Sequence, residues 1–412
     1  MHAFAPPRSF LAPLRSAGGV LRDAARRVLP GPSAAWALPL VLVSCSPAGM
    51  EGAGDGPESS PPIEADHVLP STPENLSWGW YPIDKEPALR VRSGETVRIH
   101  TLTHAGATQD EDPVAYLTGL GVPREEILDD VLAIWADRAG RPREGRSGHL
   151  ITGPVYVEGA EPGDVLEVQI LDLETRAAWG INNTSARGGV FSTSYPGHRE
   201  GDPGLDIPPG TRHVIHTGMS GGREVAFFSP EIEVPLEPFM GILAVAPDPV
   251  VGQPGVTVPG VQGSRPPGPF GGNLDVKDLK AGTTLYLPVF QPGALFYVGD
   301  PHGAQGDGEV SGTAIEQSLS GVFRFVLHED RTLDGPRAET ATHYMLMGID
   351  LDLDRATRQA TWEVVDFLVE EKGLTPAQAL SLASIAVDFR VSEVVDLTQV
   401  VTGYVPKSIF LP

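Results

Sequence analysis

The densest chemistry in the chain lies in Gly299–Val310, where Asp300, His302, Asp307 and Glu309 fall within ten residues and glycines 303, 306 and 308 stand between them. Carboxylates with an imidazole suit zinc or another divalent cation. Asp300 and His302 are two apart, so an extended backbone turns both to one face; Asp307 and Glu309 stand in the same relation. The glycines let the chain turn tightly between the two pairs. An Asp- and Gly-rich surface loop, with His302 held by a carboxylate, would show the same spacing. Two further positions could complete a ligand shell. Asp275 follows the glycine pair 271–272, and His104 ends the strand-like run that starts at Thr101. Each has an ordinary reading as a turn residue or a structural histidine, and His149 is a weaker candidate of the same kind.

The elements that must position these residues read mostly as strands. Ala294–Val298 is an apolar run leading straight into Asp300. Residues 92–99, 161–170 and 280–289 each begin with a polar, glycine-bearing turn and continue as an alternating strand. In the second, Leu166, Val168 and Ile170 face one side, and Glu167 and Gln169 the other. With 48 glycines and 40 prolines in 412 residues, this predicts a sandwich or barrel over residues 75–330, the catalytic region. A first helix is expected within 122–138, and the Gly- and Pro-dense residues 249–272 as a long loop close to the chemistry. The end of the chain differs in kind. Residues 355–372 are predicted as an amphipathic helix with Trp362, Val365, Leu368 and Val369 on one side, closed by Gly373. Thr375, Pro376 and Gln378 supply an N-cap, a first-turn proline and a capping-box partner for a second helix. That helix is expected to bury Ala379, Leu380, Leu382, Ala383 and Val387, and strand character returns over 391–401. The expected class is mostly β, with an α+β C-terminal region over 331–412 packed on the β-rich part.

Several chemistries are not indicated. There is no His-Glu-x-x-His, phosphate-binding loop or dinucleotide fingerprint. Gly218–Gly222 matches Gly-x-Ser-x-Gly around Ser220, but a nucleophile elbow needs a helix after the serine. Residues 223–230 read as a second strand, so a hairpin turn is expected there. The chain holds 53 acidic and 30 Lys or Arg residues, a formal charge of −23. Such a body repels phosphate backbones, and no basic stripe offsets it, so nucleic acid is not an expected partner. The first 45 residues hold five arginines and then the apolar run Trp36–Cys45, the order of a secretory signal. Leu42–Cys45 resembles a bacterial lipobox. The expectation is therefore a lipoprotein signal at 1–45, lipid on Cys45, a flexible tether at 46–74 and an exported enzyme anchored to the cell envelope. Cys45 is the one cysteine, so acylation would leave no thiol nucleophile.

Four segments together resemble the acetamidase/formamidase family: Thr152–Asp164, Gly271–Leu279, Gly299–Glu309 and Ala386–Asp396. The likeness runs in order over about residues 80–410. Leu274 stands where the family often has Met, and Gly303 where Ala is usual. The resemblance implies a β-rich fold with an α/β C-terminal part, hydrolysis of formamide-like or short aliphatic amides, and a homo-oligomer. Amide hydrolysis needs a polarised carbonyl, an activated water and a protonated leaving amine. A cation held by Asp300 and His302, with Asp275 or His104 completing its shell, would serve the first two needs. Glu309 would carry the proton, with Asp307 or Glu316 as alternates. Gln305 would hydrogen-bond the substrate amide or its oxyanion. Two other readings stay open: a lactam or larger-amide hydrolase on the same scaffold, and a non-catalytic, surface-anchored binding protein.

Overall fold

A computed structural model describes residues 63–145, 147–250 and 252–411. The expected signal at 1–45, with Cys45, and the tether up to residue 62 lie outside the described residues. Inside the range expected as tether, His67–Leu69 is a strand, paired in parallel with Thr96–His100. Secondary structure is therefore present within the range expected as tether.

Two sheets enclose the main core. One has nine strands, ordered His67–Leu69, Thr96–His100, Leu319–His328, Val165–Thr175, Thr283–Pro288, Arg337–Glu339, His343–Asp350, Thr398–Pro406 and Asp388–Asp396. The other runs Gly271–Asn273, Phe239–Ala244, Phe296–His302, Leu150–Val157 and Leu76–Trp78, with Leu89–Val91 paired in parallel to Leu150–Val157. The inward residues of the two sheets share one core. Val168, Phe323 and Phe325 of the first meet Phe239, Phe296 and Val298 of the second, and the Phe296 and Phe325 rings pack edge to face at 5.0 Å. Each such side chain contributes on the order of 1.5–3 kcal/mol by leaving water. This period-2 burial is what the alternation in residues 161–170 encodes: Leu166, Val168 and Ile170 are buried, while Glu167 and Gln169 are half-exposed.

The boundary expected at residue 330 cuts no fold boundary in the backbone, because strands from 337 to 406 extend the same nine-stranded sheet. The C-terminal helices cover its face there. Leu353–Glu370 is capped by Asp352, whose side chain accepts from Arg355 N, and it buries Ala356, Ala360, Val364, Val365, Phe367 and Leu368. Trp362, expected on that side, is 57% exposed. Two residues from Val364 is about 200° around the helix, so Trp362 faces away from the buried stripe. Pro376–Ala386 starts with the expected capping box of Thr375 and Gln378 and buries Ala379 and Ala383, whereas Leu380 is exposed. The helix expected within 122–138 is present as Asp129–Asp137, preceded by a short turn of helix at Arg124–Glu126.

A third, four-stranded sheet is ordered Ile232–Pro235, Arg223–Ser229, Arg212–Ser220 and Trp179–Asn183. Ser220 pairs with Arg223 across a two-residue turn in which Gly221 and Gly222 have φ of 57° and 83°. A turn with both central φ values positive matches strand twist and favours glycine. Ser220 therefore sits on an exposed hairpin, donating to Glu233 at 2.9 Å, as its sequel predicted.

Candidate active site and metal centre

The centre forms where three strand ends of the second sheet meet two turns. Phe239–Ala244 runs between Gly271–Asn273 and Phe296–His302 and holds both in register. Asp275 leaves the first of these neighbours, and Asp300 and His302 end the second. Gly241 lies beneath them. A Cβ on it would overlap Asp275 Oδ1 and sit 3.0 Å from the Asp300 carbonyl oxygen, so no side chain fits. Residues 314–317 fold back along 301–304, with Gly303 N donating to Ile315 O and Ile315 N to Ala304 O. That pairing sets Glu316 opposite His302. The turn after residue 303 brings Glu309 to the same place, with Gly308 N donating to Ser392 O of the C-terminal strand.

Among the described residues, three of the six non-glycine residues with positive φ are here: Asp275 at 47°, Asp300 at 50° and Glu309 at 44°. Such backbone costs about 1–3 kcal/mol each and persists where the surroundings over-determine it, chiefly at functional sites. His302 is completely buried. Its Nδ1 lies 3.5 Å from Asp275 Oδ1, and its Nε2 lies 3.5 Å from Asp300 Oδ2 and 3.3 Å from Glu316 Oε1. His104 Nδ1 lies 3.8 Å from Glu316 Oε2, and His149 Nε2 3.9 Å from Asp300 Oδ2. Two triads result, Asp275–His302–Glu309 and His104–Asp300–Glu316, each with one ligating atom per residue within 4.8 Å of the others.

The polar atoms facing this space are short of partners. Both oxygens of Asp275, both ring nitrogens of His302, Glu316 Oε2 and His104 Nδ1 are buried without a hydrogen bond. Orphans of this kind are costly in a protein interior unless something binds them. Burial, and then the Glu309 charge, push the Asp275 carboxyl well above the usual range; burial and then Asp396 do the same to Glu309. At His302 burial opposes the charged form, but Glu316 and Asp300 override it and hold the imidazolium well above its ordinary pKa. Burial also works to raise Asp300, and the imidazoles of His149 and His302 overcome it and hold that carboxyl low. A divalent cation fits this donor set of carboxylates and imidazoles, and it would supply the positive charge that the buried acids lack.

Of the residues singled out in the sequence, Asp275, Asp300, His302, Glu309 and His104 converge here. Gln305 stands beside them: its Nε2 donates to Asp275 O at 2.9 Å, while Oε1 is buried and unpartnered. Asp307 is in neither triad. It is turned outward into a double contact with Arg390, with Nη2 at 2.7 Å and Nε at 2.9 Å, and Lys277 lies 3.3 Å away. The same Arg390 donates to Asp278 through Nη1. Asp307 thus ties the Glu309 turn to the segment that carries Asp275, the geometry of a positioning residue, while it also lines the cleft beside Glu309. The reason it turns outward is local: with Gly308 at φ 92° and Glu309 at 44°, the backbone is not extended, so the two-residue spacing does not share a face.

Four further residues belong to the centre or its surround: the sequence offers Glu316 only as an alternate base and His149 only as a weaker candidate, and it does not single out Asp396 or Glu393. His149 belongs to the centre through Asp300, and its Nδ1 lies 3.2 Å from Ser264 Oγ, a residue of the Gly- and Pro-rich loop. Asp396 accepts from Asn273 Nδ2 at 2.7 Å, with Arg265 Nε at 3.3 Å. Glu393 is buried and caps the Asp396 turn, accepting from Val395 N and Asp396 N. The positive φ values and the close approach at Gly241 carry no sequence signal of their own.

Two clefts open beside the centre. One of about 310 Å³ is walled largely by apolar side chains, including Ile215, Phe228 and Val310, and reaches Gln305 and Glu309. The other, of about 370 Å³, reaches His104 and is edged by hydroxyls.

Comparison with known proteins places this geometry. Residues 143–253 and 260–411 match the profile of the Acetamidase/Formamidase family. A formamidase of Methylophilus methylotrophus is 28% identical over 321 residues, covering 64% of this chain and 77% of its own. An acetamidase of Mycolicibacterium smegmatis is 32% identical over 204 residues, 40% of this chain and 49% of its own. The crystal structure of an acetamidase from Bacillus halodurans superposes with a TM-score of 0.64 at 27% identity, over 83% of this chain and 98% of that one.

Proposed function

The chain belongs to the acetamidase/formamidase family, and from that premise we propose that its buried centre hydrolyses the C–N bond of a small carboxamide to a carboxylate and ammonia, with a divalent cation, zinc foremost, held among its carboxylates and imidazoles. One observation carries this reading. Within each of the two triads the ligating atoms lie within 4.8 Å of one another, in a space where the carboxylate oxygens of Asp275 and both ring nitrogens of His302 are buried without a hydrogen bond. Asp275, Asp300, His302, His104 and Glu316 would hold the cation. When bound it polarises the amide carbonyl and lowers the pKa of water toward about 7.

The chain's own residues account for the rest. Glu309 borders both the Asp275–His302 pair and the apolar cleft, so it is placed to take a proton from water and hand it to the departing nitrogen. Gln305 has one donor committed to Asp275 O, and its free Oε1 suits the N–H of a substrate amide better than an oxyanion. Arg390 and Asp307 hold the two ligand-bearing segments at a fixed separation, which keeps Glu309 within reach. His149 and Ser264 steady Asp300 from behind.

Ammonia release from formamide and acetamide by the purified protein, before and after chelation and after zinc is returned, tests the reading. The expected result is turnover that falls to background with chelator and recovers with the cation. Full turnover by protein shown by elemental analysis to be metal-free would overturn the metal assignment. No ammonia from any short amide would overturn the substrate class.

A further inference from the structure

The cleft that meets the centre at His104 is built for more than a formamide. At about 370 Å³ it would hold about a dozen waters at roughly 30 Å³ each. Its edge is oxygen-rich, with Thr108, Thr184 and Thr211 among the lining residues. Tyr116 and Arg212 also line it, and the Arg212 guanidinium stands 5.7 Å from the Tyr116 ring centroid. Arg212 is exposed and forms no ion pair among the described residues; its guanidinium donates to Gly210 O at 3.2 Å and also acts on the Tyr116 hydroxyl by charge and hydrogen bond, both neutral partners. In a chain with a formal charge of −23, an arginine without an acid partner beside a catalytic cleft is an unused anion-binding group. Glu111 acts on Tyr116 through space but makes no ion pair with Arg212. The apolar cleft on the Glu309 side lacks any such cation among its lining residues.

We propose that the preferred substrates are carboxamides with a carboxylate at the far end, the monoamides of short dicarboxylic acids, whose acid group docks on Arg212 while the amide lies at the centre. This rests on the amide-hydrolase reading above and names its substrate class. The reaction balances as simple hydrolysis: water oxygen bonds to the amide carbon, the C–N bond breaks, and the products are a dicarboxylate and ammonia. The hydroxyl-edged cleft then sets specificity, because a neutral alkyl amide leaves Arg212 without a partner.

Calorimetric binding of succinamate and glutaramate, each against the neutral amide of matching length, butyramide and valeramide, tests this in the metal-loaded protein. The wild type and the variants Arg212→Met and Arg212→Lys are measured at one ionic strength, since the chain's negative field opposes every anion and screens with salt. At least one acid amide is expected to bind tenfold or more tightly than its neutral match. Arg212→Met is expected to erase that ratio, and Arg212→Lys to keep part of it. An unchanged ratio in Arg212→Met, tighter binding of the neutral amides, or no measurable binding of either acid amide overturns the proposal. Ammonia release is read separately. Selective binding of succinamate with no amide hydrolysed would leave the anion site standing and sink the hydrolase reading. Turnover of acetamide without acid-amide selectivity would do the reverse.

Discussion

The strand Phe296–His302 and the turn that follows it carry the same motif twice, two ligand-type side chains two residues apart, and only one copy works as spacing suggests. On the strand, Asp300 and His302 both reach the centre, 3.5 Å apart. On the turn, Glu309 points in and Asp307 points out to Arg390. The difference is backbone. Residues on a paired strand inherit their direction from the pleat, whereas Gly308 and Glu309 at positive φ rotate one side chain away from the other. On the proposed reading the strand would supply ligands, and the turn one proton carrier plus one clamp.

That contrast breaks most sharply at His302. His302→Ala is expected to lose divalent-cation binding and turnover together, to background, because the residue links both triads. Elemental analysis beside initial rates reads the two losses, and a variant that keeps its cation would remove His302 from the ligand set. On the turn, Glu309→Gln is expected to keep the cation and lose turnover by about 10²–10⁴-fold, the range of a positioned acid–base group. A metal-free Glu309→Gln protein would make Glu309 a ligand and erase the functional division between strand and turn. Asp307→Asn, which weakens the clamp while keeping its shape, is expected to lower turnover by less than about tenfold, since exposed ion pairs contribute about 0–1 kcal/mol. A collapse as deep as that of Glu309→Gln would return Asp307 to the chemistry. The smallest effect belongs to Ser220→Ala, on its exposed hairpin, where amidase rates are expected to stay within a few-fold. A lost burst phase or abolished turnover there, with the fold intact, would revive a serine nucleophile.

What the sequence determined by itself was whatever is encoded within a few residues. Alternation over 161–170 specified a strand and its buried face, and Thr375–Gln378 specified a helix start, because capping and pleat are local geometry. Asp300 and His302 were legible for the same reason, as neighbours on one strand. Asp275 and His104 were legible as candidates, not as partners. Tertiary structure alone decided the rest. It set Glu316 against His302 through a fold-back of residues 314–317, put Asp396 behind Asn273 across 123 residues of chain, and chose Glu309 over Asp307 through an arginine 83 residues away. It also decided that Trp362 and Leu380 face outward, since helical periodicity defines a stripe but the packed sheet selects which stripe is buried. Contacts between distant segments depend on sheet order and register, and no pattern of types and spacings within one segment contains them.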